Sequence, residues 1–295
     1  MQENLSNRRE AIEDGMKPVA KIEDFEIVAE GLDHPEGLAF DREGHLWAGG
    51  EQGQVYRIAP DGKIREVAQL GGFCLGLTFS ATQELWVCNL KKGSLIRLDR
   101  KGRTLGSIDR ADGIRLRTPN FSVFDSDGNL YFSDSGEWGK DDGSVFVLLK
   151  NGKTRKIAGP LAFPNGMALS ADDRTLYVVQ STKNNLLAIE LASPDAARGI
   201  RVFADGLDRV PDGAVLDERG NIYVTCYASD HIYKVTPQGK VSVLAWDPHG
   251  TMLASPTNGA FGGPDYDYLY FANLSRWHIC RVRVGVKGLP PVNLR

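Results

Sequence analysis

Short apolar runs alternate with Asp-, Asn- and Gly-rich turns along most of the chain, and many of the runs carry an aromatic residue. The clearest unit is Val210-Pro211-Asp212-Gly213-Ala214-Val215-Leu216, a turn at Asp217-Glu218-Arg219-Gly220, then Asn221-Ile222-Tyr223-Val224. It recurs as Pro35-Glu36-Gly37-Leu38-Ala39-Phe40 with Leu46-Trp47, as Pro119-Asn120-Phe121-Ser122-Val123-Phe124 with Leu130-Tyr131, and as Pro164-Asn165-Gly166-Met167-Ala168-Leu169 with Leu176-Tyr177. Weaker copies stand at Cys74-Leu75-Gly76-Leu77 and Thr257-Asn258-Gly259-Ala260. Six copies at a spacing of about 40 residues predict a six-bladed β-propeller.

Within a copy, the pattern predicts four strands. In the first they fall at 37–41, 45–49, 54–59 and 64–69, separated by turns such as Asp41-Arg42-Glu43-Gly44 and Pro60-Asp61-Gly62-Lys63. Helical periodicity is nearly absent; a single turn at 193–198 is the one candidate. The fold class is therefore all-β. The last copy supplies only three strands, ending at 279–285, and an orphan strand at 25–29 precedes the first copy. A closed ring leaves no exposed edge, so the N-terminal strand is expected to close the last blade. Residues 22–295 are expected to form one propeller domain, and the polar stretch 1–21 a flexible leader.

Bulk composition narrows the partners. A net charge of −3 and scattered Lys and Arg give no reason to expect nucleic acid or an anionic membrane, and residues 1–21 carry no apolar core of a signal or span. The four cysteines, Cys74, Cys88, Cys226 and Cys280, lack metal-finger spacing and read as buried free thiols. A cytoplasmic location is expected on that basis. Oligomeric state is not legible.

The topology of a propeller brings the first-strand starts of all blades to one face around the axis. Glu36, Asn120, Asn165, Asp212 and Asn258 should converge there. Taken singly, Pro-Asn-Gly and Pro-Asp-Gly are ordinary turn sequences. Glu36 has no such turn preference, and a register shared across blades is what a site requires. Two carboxylates and two amide oxygens, from Glu36, Asp212, Asn120 and Asn165, form an all-oxygen set that suits Ca²⁺, with Mg²⁺, Mn²⁺ and Zn²⁺ as alternatives, zinc lacking its usual imidazole or thiolate. Two unpaired carboxylates on one axis would otherwise repel. No Gly-x-Ser-x-Gly motif is present, which argues against a serine triad.

These blade starts, with Phe261-Gly262-Gly263-Pro264-Asp265 before Leu269-Tyr270, resemble the family of senescence marker protein, gluconolactonase and luciferin-regenerating enzyme, over about 30–284. The resemblance implies a six-bladed propeller with one catalytic divalent metal, usually Ca²⁺, and hydrolysis of lactones. By motif it carries metal-ligand roles to Glu36, Asn165 and Asp212, and a metal- or substrate-contacting role to Asn120. The chain departs from sugar-lactonase members at Asn120-Phe121, where they have Asn-Asp, and at Thr118, where they often have Arg. Phe121 and Trp138 suggest a substrate less polar than an aldonolactone. Glu137 resembles an acidic substrate-contacting residue of some members.

The expected activity is metal-dependent hydrolysis of a lactone, with Asp212 and Glu36 as catalytic residues and Asp212 as base or nucleophile. Asn120, Phe121, Glu137, Trp138, Tyr227 and Asn258 are the candidate contacts to a small-molecule substrate. The alternatives are a phosphotriester hydrolase on the same site, a non-catalytic ligand-binding propeller with a structural Ca²⁺, and a strictosidine-synthase-like lyase.

Overall fold

A computed structural model of the chain describes residues 18–295. Six four-stranded antiparallel sheets are arranged as propeller blades, with one additional short hairpin pairing Arg110–Ala111 and Ile114–Arg115. The innermost strands are Leu38–Phe40, Cys74–Phe79, Pro119–Phe124, Pro164–Leu169, Pro211–Leu216 and Pro256–Gly262. Each pairs outward with a second strand: Leu46–Gly49, Leu85–Asn89, Leu130–Asp134, Thr175–Gln180, Ile222–Cys226 and Tyr268–Asn273. Faces of neighbouring blades bury apolar clusters between them, such as Leu216, Val224 and Tyr233 with Val179 and Leu186. Burial of that kind is the main stabilising term, at about 25 cal/mol per Å² of apolar surface.

The ring closes as the sequence predicts. Glu26–Glu30 pairs antiparallel with His278–Arg283, from Glu26 opposite Arg281 to Glu30 opposite His278, with a bulge between Ile27 and Ala29. Phe25 anchors the junction, its ring 6.2 Å from that of Phe271. Of the expected leader, residues 1–17 lie outside the described residues. Further on, the amides of Val19 and Ala20 bond to the carbonyls of Val243 and Leu244, on the outer strand of the fifth blade.

The helical turn expected at 193–198 is a β-hairpin instead. Leu191 pairs with Ala197 and Ser193 with Ala196, in the connection between the long strands Asn185–Ser193 and Ala196–Ala204. Ser-Pro-Asp can start a helix, but here pairing to a strand already fixed in the sheet decides the outcome.

Turns between first and second strands are built by buried aspartates. Asp217 Oδ1 accepts the amides of Arg219 at 2.9 Å and Asn221 at 2.8 Å; Asp41 Oδ1 serves Glu43 and His45 in the same way. Gly220 and Gly44 complete these turns at φ of 78° and 81°, where a side chain would be strained. At this end of the channel a largely apolar cavity of 140 Å³ is lined by Phe40, Leu77, Met167, Leu216 and Phe261, with Leu289, Pro290 and Asn293 of the C-terminal segment along its wall. Asn293 pins that segment: its Nδ2 donates to Phe40 O at 2.9 Å and its carbonyl accepts from Gln83 Nε2 at 2.9 Å.

Candidate metal centre on the propeller axis

The opposite end of the channel is polar. Inner strands enter it through residues held in the left-handed region just before the blade-start prolines: His34 at φ 43°, Phe163 at 51°, Val210 at 58° and Ser255 at 54°. Non-glycine residues seldom take this conformation, and β-branched Val210 least of all. Backbone bonds hold the last three in place: Ser181 N donates to Phe163 O, Tyr227 N to Val210 O and Leu274 N to Ser255 O. The strain is thus held by the end of each second strand.

The two residues after each proline then leave the ladder. Pairing with the second strand skips between Pro119 and Ser122, Pro164 and Met167, Pro211 and Ala214, and Pro256 and Gly259. Asn120, Asn165, Asp212 and Asn258 each lie in such a bulge, which re-aims a side chain. All four are buried, as is Glu36.

The glycine after the axial residue of a blade start is required for close approach rather than for a turn. A Cβ on Gly166 would lie 2.4 Å from Asp212 O, one on Gly213 2.5 Å from Thr257 O, and one on Gly76 2.6 Å from Asn120 O. None of the three lies in the left-handed region, so the turn reading of Pro-Asn-Gly and Pro-Asp-Gly does not describe them. Successive blade starts therefore touch around the axis. Hydroxyls brace the same contacts: Ser133 Oγ donates to Asn165 O at 3.0 Å, Ser181 Oγ to Pro211 O at 2.7 Å, and Thr257 Oγ1 to Glu36 O at 3.1 Å, while Thr225 Oγ1 donates to Thr257 O.

Contacts between the side chains join the ring. Asn258 Nδ2 donates to Glu36 Oε2 at 3.0 Å. Burial, and then the neighbouring Asp212 carboxylate, hold the Glu36 pKa well above its ordinary value, against a bond from Asn258. Burial pushes Asp212 up to about 8, with the nearby Asn165 amide opposing the shift. No Lys or Arg contributes to either shift.

Most telling are the unused acceptors. Asn120 Oδ1, Asn165 Oδ1 and Asp212 Oδ1 are buried without any hydrogen-bond partner among the described residues. Each such group costs about 1–3 kcal/mol. Three from equivalent positions of three blades, beside the Glu36 carboxylate, fit a hard divalent cation, which takes about 6–8 oxygens. The donor set contains neither sulfur nor imidazole.

In register, the position of Asp212 is taken by Thr257 in the last blade and by Leu75 in the second, in the bulge between Cys74 and Leu77, so the ring is apolar on the side of the second blade. Neither Leu75 nor the hydroxyls stood out in the sequence, although Tyr131-Phe132-Ser133 and Tyr223-Val224-Thr225 share an aromatic-x-hydroxyl spacing.

The outer candidates are placed differently. Phe121 is half-buried against the apolar cluster containing Tyr131 and Met167. Trp138 is 56% exposed, its ring edge-on to Phe163 at 4.8 Å. Glu137 is exposed and paired with Lys140 at 2.6 Å. Tyr227 is half-buried, its amide bonded to the carbonyl of Val210, two residues before Asp212. Two further groupings, Asp33 with His34 and Glu51, and Asp41 with Glu43 and His45, bring carboxylates and imidazole together. Their atoms are already used: Asp33 binds His34 and Gln54, and Asp41 binds Trp47 and His45. The four cysteines are buried and free, and burial pushes the Cys74 thiol up to about 12, so it is not a nucleophile near neutrality. Among the described residues, no helix is long and apolar enough to cross a membrane.

Comparison with known proteins adds the following. The family model for the SMP-30/Gluconolactonase/LRE-like region matches residues 109–275, more than half of the chain, and that for the N-terminal region of strictosidine synthase-like proteins matches 18–58. A gluconolactonase of Zymomonas mobilis is 28% identical over 224 residues, 69% of this chain and 61% of that protein. The match thus spans less than two thirds of that relative. The lactonase drp35 of Staphylococcus saprophyticus is 28% identical over 255 residues, 80% of this chain and 77% of that protein. In structure, the calcium-binding protein regucalcin of Agrobacterium tumefaciens shares the fold, with a TM-score of 0.75 at 20% identity over 95% of this chain and 100% of that one.

Proposed function

The chain belongs to the SMP-30/gluconolactonase/LRE-like family, and from that premise we propose that it is a divalent-cation-dependent lactonase whose centre is the axial ring of Glu36, Asn120, Asn165 and Asp212. The observation that carries this reading is the set of orphaned buried oxygens on Asn120, Asn165 and Asp212 beside the Glu36 carboxylate. Relatives named gluconolactonase and lactonase support the reaction class, and a structural neighbour named as calcium-binding supports Ca²⁺, with Mg²⁺, Mn²⁺ and Zn²⁺ as alternatives.

When bound, the cation supplies Lewis-acid chemistry, polarising the lactone carbonyl and stabilising the oxyanion that develops on it. The remaining work belongs to the chain. The Asn258 amide engages Oε2 of Glu36 and leaves Oε1 to serve the cation. Asn120 and Asn165 present neutral oxygens, which keep the net charge of the ring at two carboxylates. Asp212, ionised in the loaded centre, takes a proton from the water that attacks the acyl carbon. As the ring C–O bond breaks, that proton passes to the departing oxygen, and the product is the open hydroxy acid. The small substrate would enter at the polar mouth, past Trp138, Glu137 and Tyr227, because the cavity at the other end is largely apolar.

The test is turnover after chelation. Stripped protein, restored with Ca²⁺, Mg²⁺, Mn²⁺ or Zn²⁺ singly, is assayed on polar and apolar lactones and one phosphotriester, with Asp212→Asn alongside. Lactone hydrolysis that returns with one cation and fails in the variant supports the proposal. Hydrolysis of the triester alone would replace it with the phosphoryl reading. Thermal stabilisation without turnover would leave a binding propeller with a structural cation.

A further inference from the structure

We propose that Ser181 is a positioning residue of this centre, setting the orientation of the Asn165 amide; the inference rests on the metal-centre reading above. Ser181 follows the second strand of the fourth blade and is 1% exposed, so water does not compete for its hydroxyl. The hydroxyl makes two contacts: Pro211 O at 2.7 Å and Asn165 Nδ2 at 3.2 Å. A carbonyl oxygen can only accept, so the single hydroxyl proton goes to Pro211. With that proton committed, Oγ can only accept from Asn165, and the partner must be the NH₂ end of the amide.

The orientation follows from this chain of donors. Asn165 turns its nitrogen to Ser181 and its Oδ1 toward the axis, where that oxygen has no partner among the described residues. A flipped amide would aim two N–H donors at the cation, which is repulsive. The same hydroxyl holds the peptide that leads into Asp212, so one side chain couples two ligands from adjacent blades. The bracing hydroxyls of Ser133, Thr225 and Thr257 bond to backbone atoms, and Ser181 alone of the four also bonds a ring side chain. Outer partners that orient a ligand typically change metal affinity by about 10–100-fold when removed.

The experiment is calorimetric titration of Ca²⁺ into the stripped full-length chain, with thermal unfolding of each stripped variant as the check on folding. Ser181→Ala should weaken binding about 10-fold or more. Ser181→Cys, which keeps the volume but is a poor acceptor, should weaken it comparably and carries the test if the alanine variant does not fold. Ser181→Thr should restore most of the affinity. The decisive arm is Asn165→Asp: a carboxylate offers oxygen at both ends, so adding Ser181→Ala to it should change affinity far less than in the native background. Native-like Ca²⁺ affinity in both the alanine and cysteine variants would overturn the proposal. So would an equal loss in the Asn165→Asp background, since that would mark Ser181 as general packing. A native chain that takes up none of the four cations would overturn the metal-centre reading itself, and the positioning role with it.

Discussion

The Asn258 amide meets the Glu36 carboxylate at 3.0 Å, joining the first strand of the last blade to the start of the first. The bond does two things at once. It ties the ring where the chain's two ends meet, and it spends one Glu36 oxygen on the protein so that the other can serve the axis. Asn258→Ala should therefore weaken cation binding by about 10-fold, the lower end for a lost orienting partner, with a smaller effect on the stability of the stripped protein. Calorimetric titration and thermal unfolding in chelator separate the two effects.

The stripped protein should become less stable as pH rises. In the unfolded chain both carboxyls titrate near 4. In the folded, cation-free chain Asp212 is raised to about 8 and Glu36 is raised well above its ordinary value. The native state then holds more protons than the unfolded state between about pH 4 and 8, and stability falls across that window. Unfolding temperatures in chelator should be lower at pH 8 than at pH 5, and Asp212→Asn should shrink the difference. Excess cation should reverse the trend, because binding needs both carboxylates ionised.

Gly166→Ala should cost about 1–3 kcal/mol, since the added Cβ meets Asp212 O at 2.4 Å and Ala214 N at 2.6 Å, both backbone atoms of the adjacent blade. Gly199→Ala is the control: nothing lies within 4 Å of its Cβ position. Denaturant unfolding of the two variants should separate them clearly, and equal midpoints would show that the blade starts tolerate more space than their contacts indicate.

At the far end, Asn293→Ala removes the donor to Phe40 O and should destabilise by about 1–3 kcal/mol while leaving Ca²⁺ affinity unchanged. A matching loss of affinity would mean that the two ends of the channel are coupled.

Much of this was legible in the sequence because it is local. Alternating apolar runs and Asp-Gly turns mark the strands, and Pro-Glu-Gly, Pro-Asn-Gly and Pro-Asp-Gly mark the register of the ring. What the glycines are for was not legible: Gly166 and Gly213 answer to backbone atoms of the next blade, about one repeat away. The same distance hides Ser181, whose partners Asn165 and Pro211 lie in different blades. Leu75 looked like a weak copy of the motif, and only the shared bulge shows that it takes a ligand's place. The hairpin at 193–198 misled because Ser-Pro-Asp favours a helix start locally, while its neighbours were already committed to a sheet.

The central claim is that the orphaned axial oxygens hold a cation. Crystals of the stripped protein soaked in Mn²⁺, with anomalous diffraction recorded on the metal edge, locate the ion directly. The account predicts one strong peak on the axis, bounded by Glu36, Asn120, Asn165 and Asp212 and absent in Asp212→Asn. A peak confined to the Asp33, His34 and Glu51 cluster, or no peak on the axis, would contradict it.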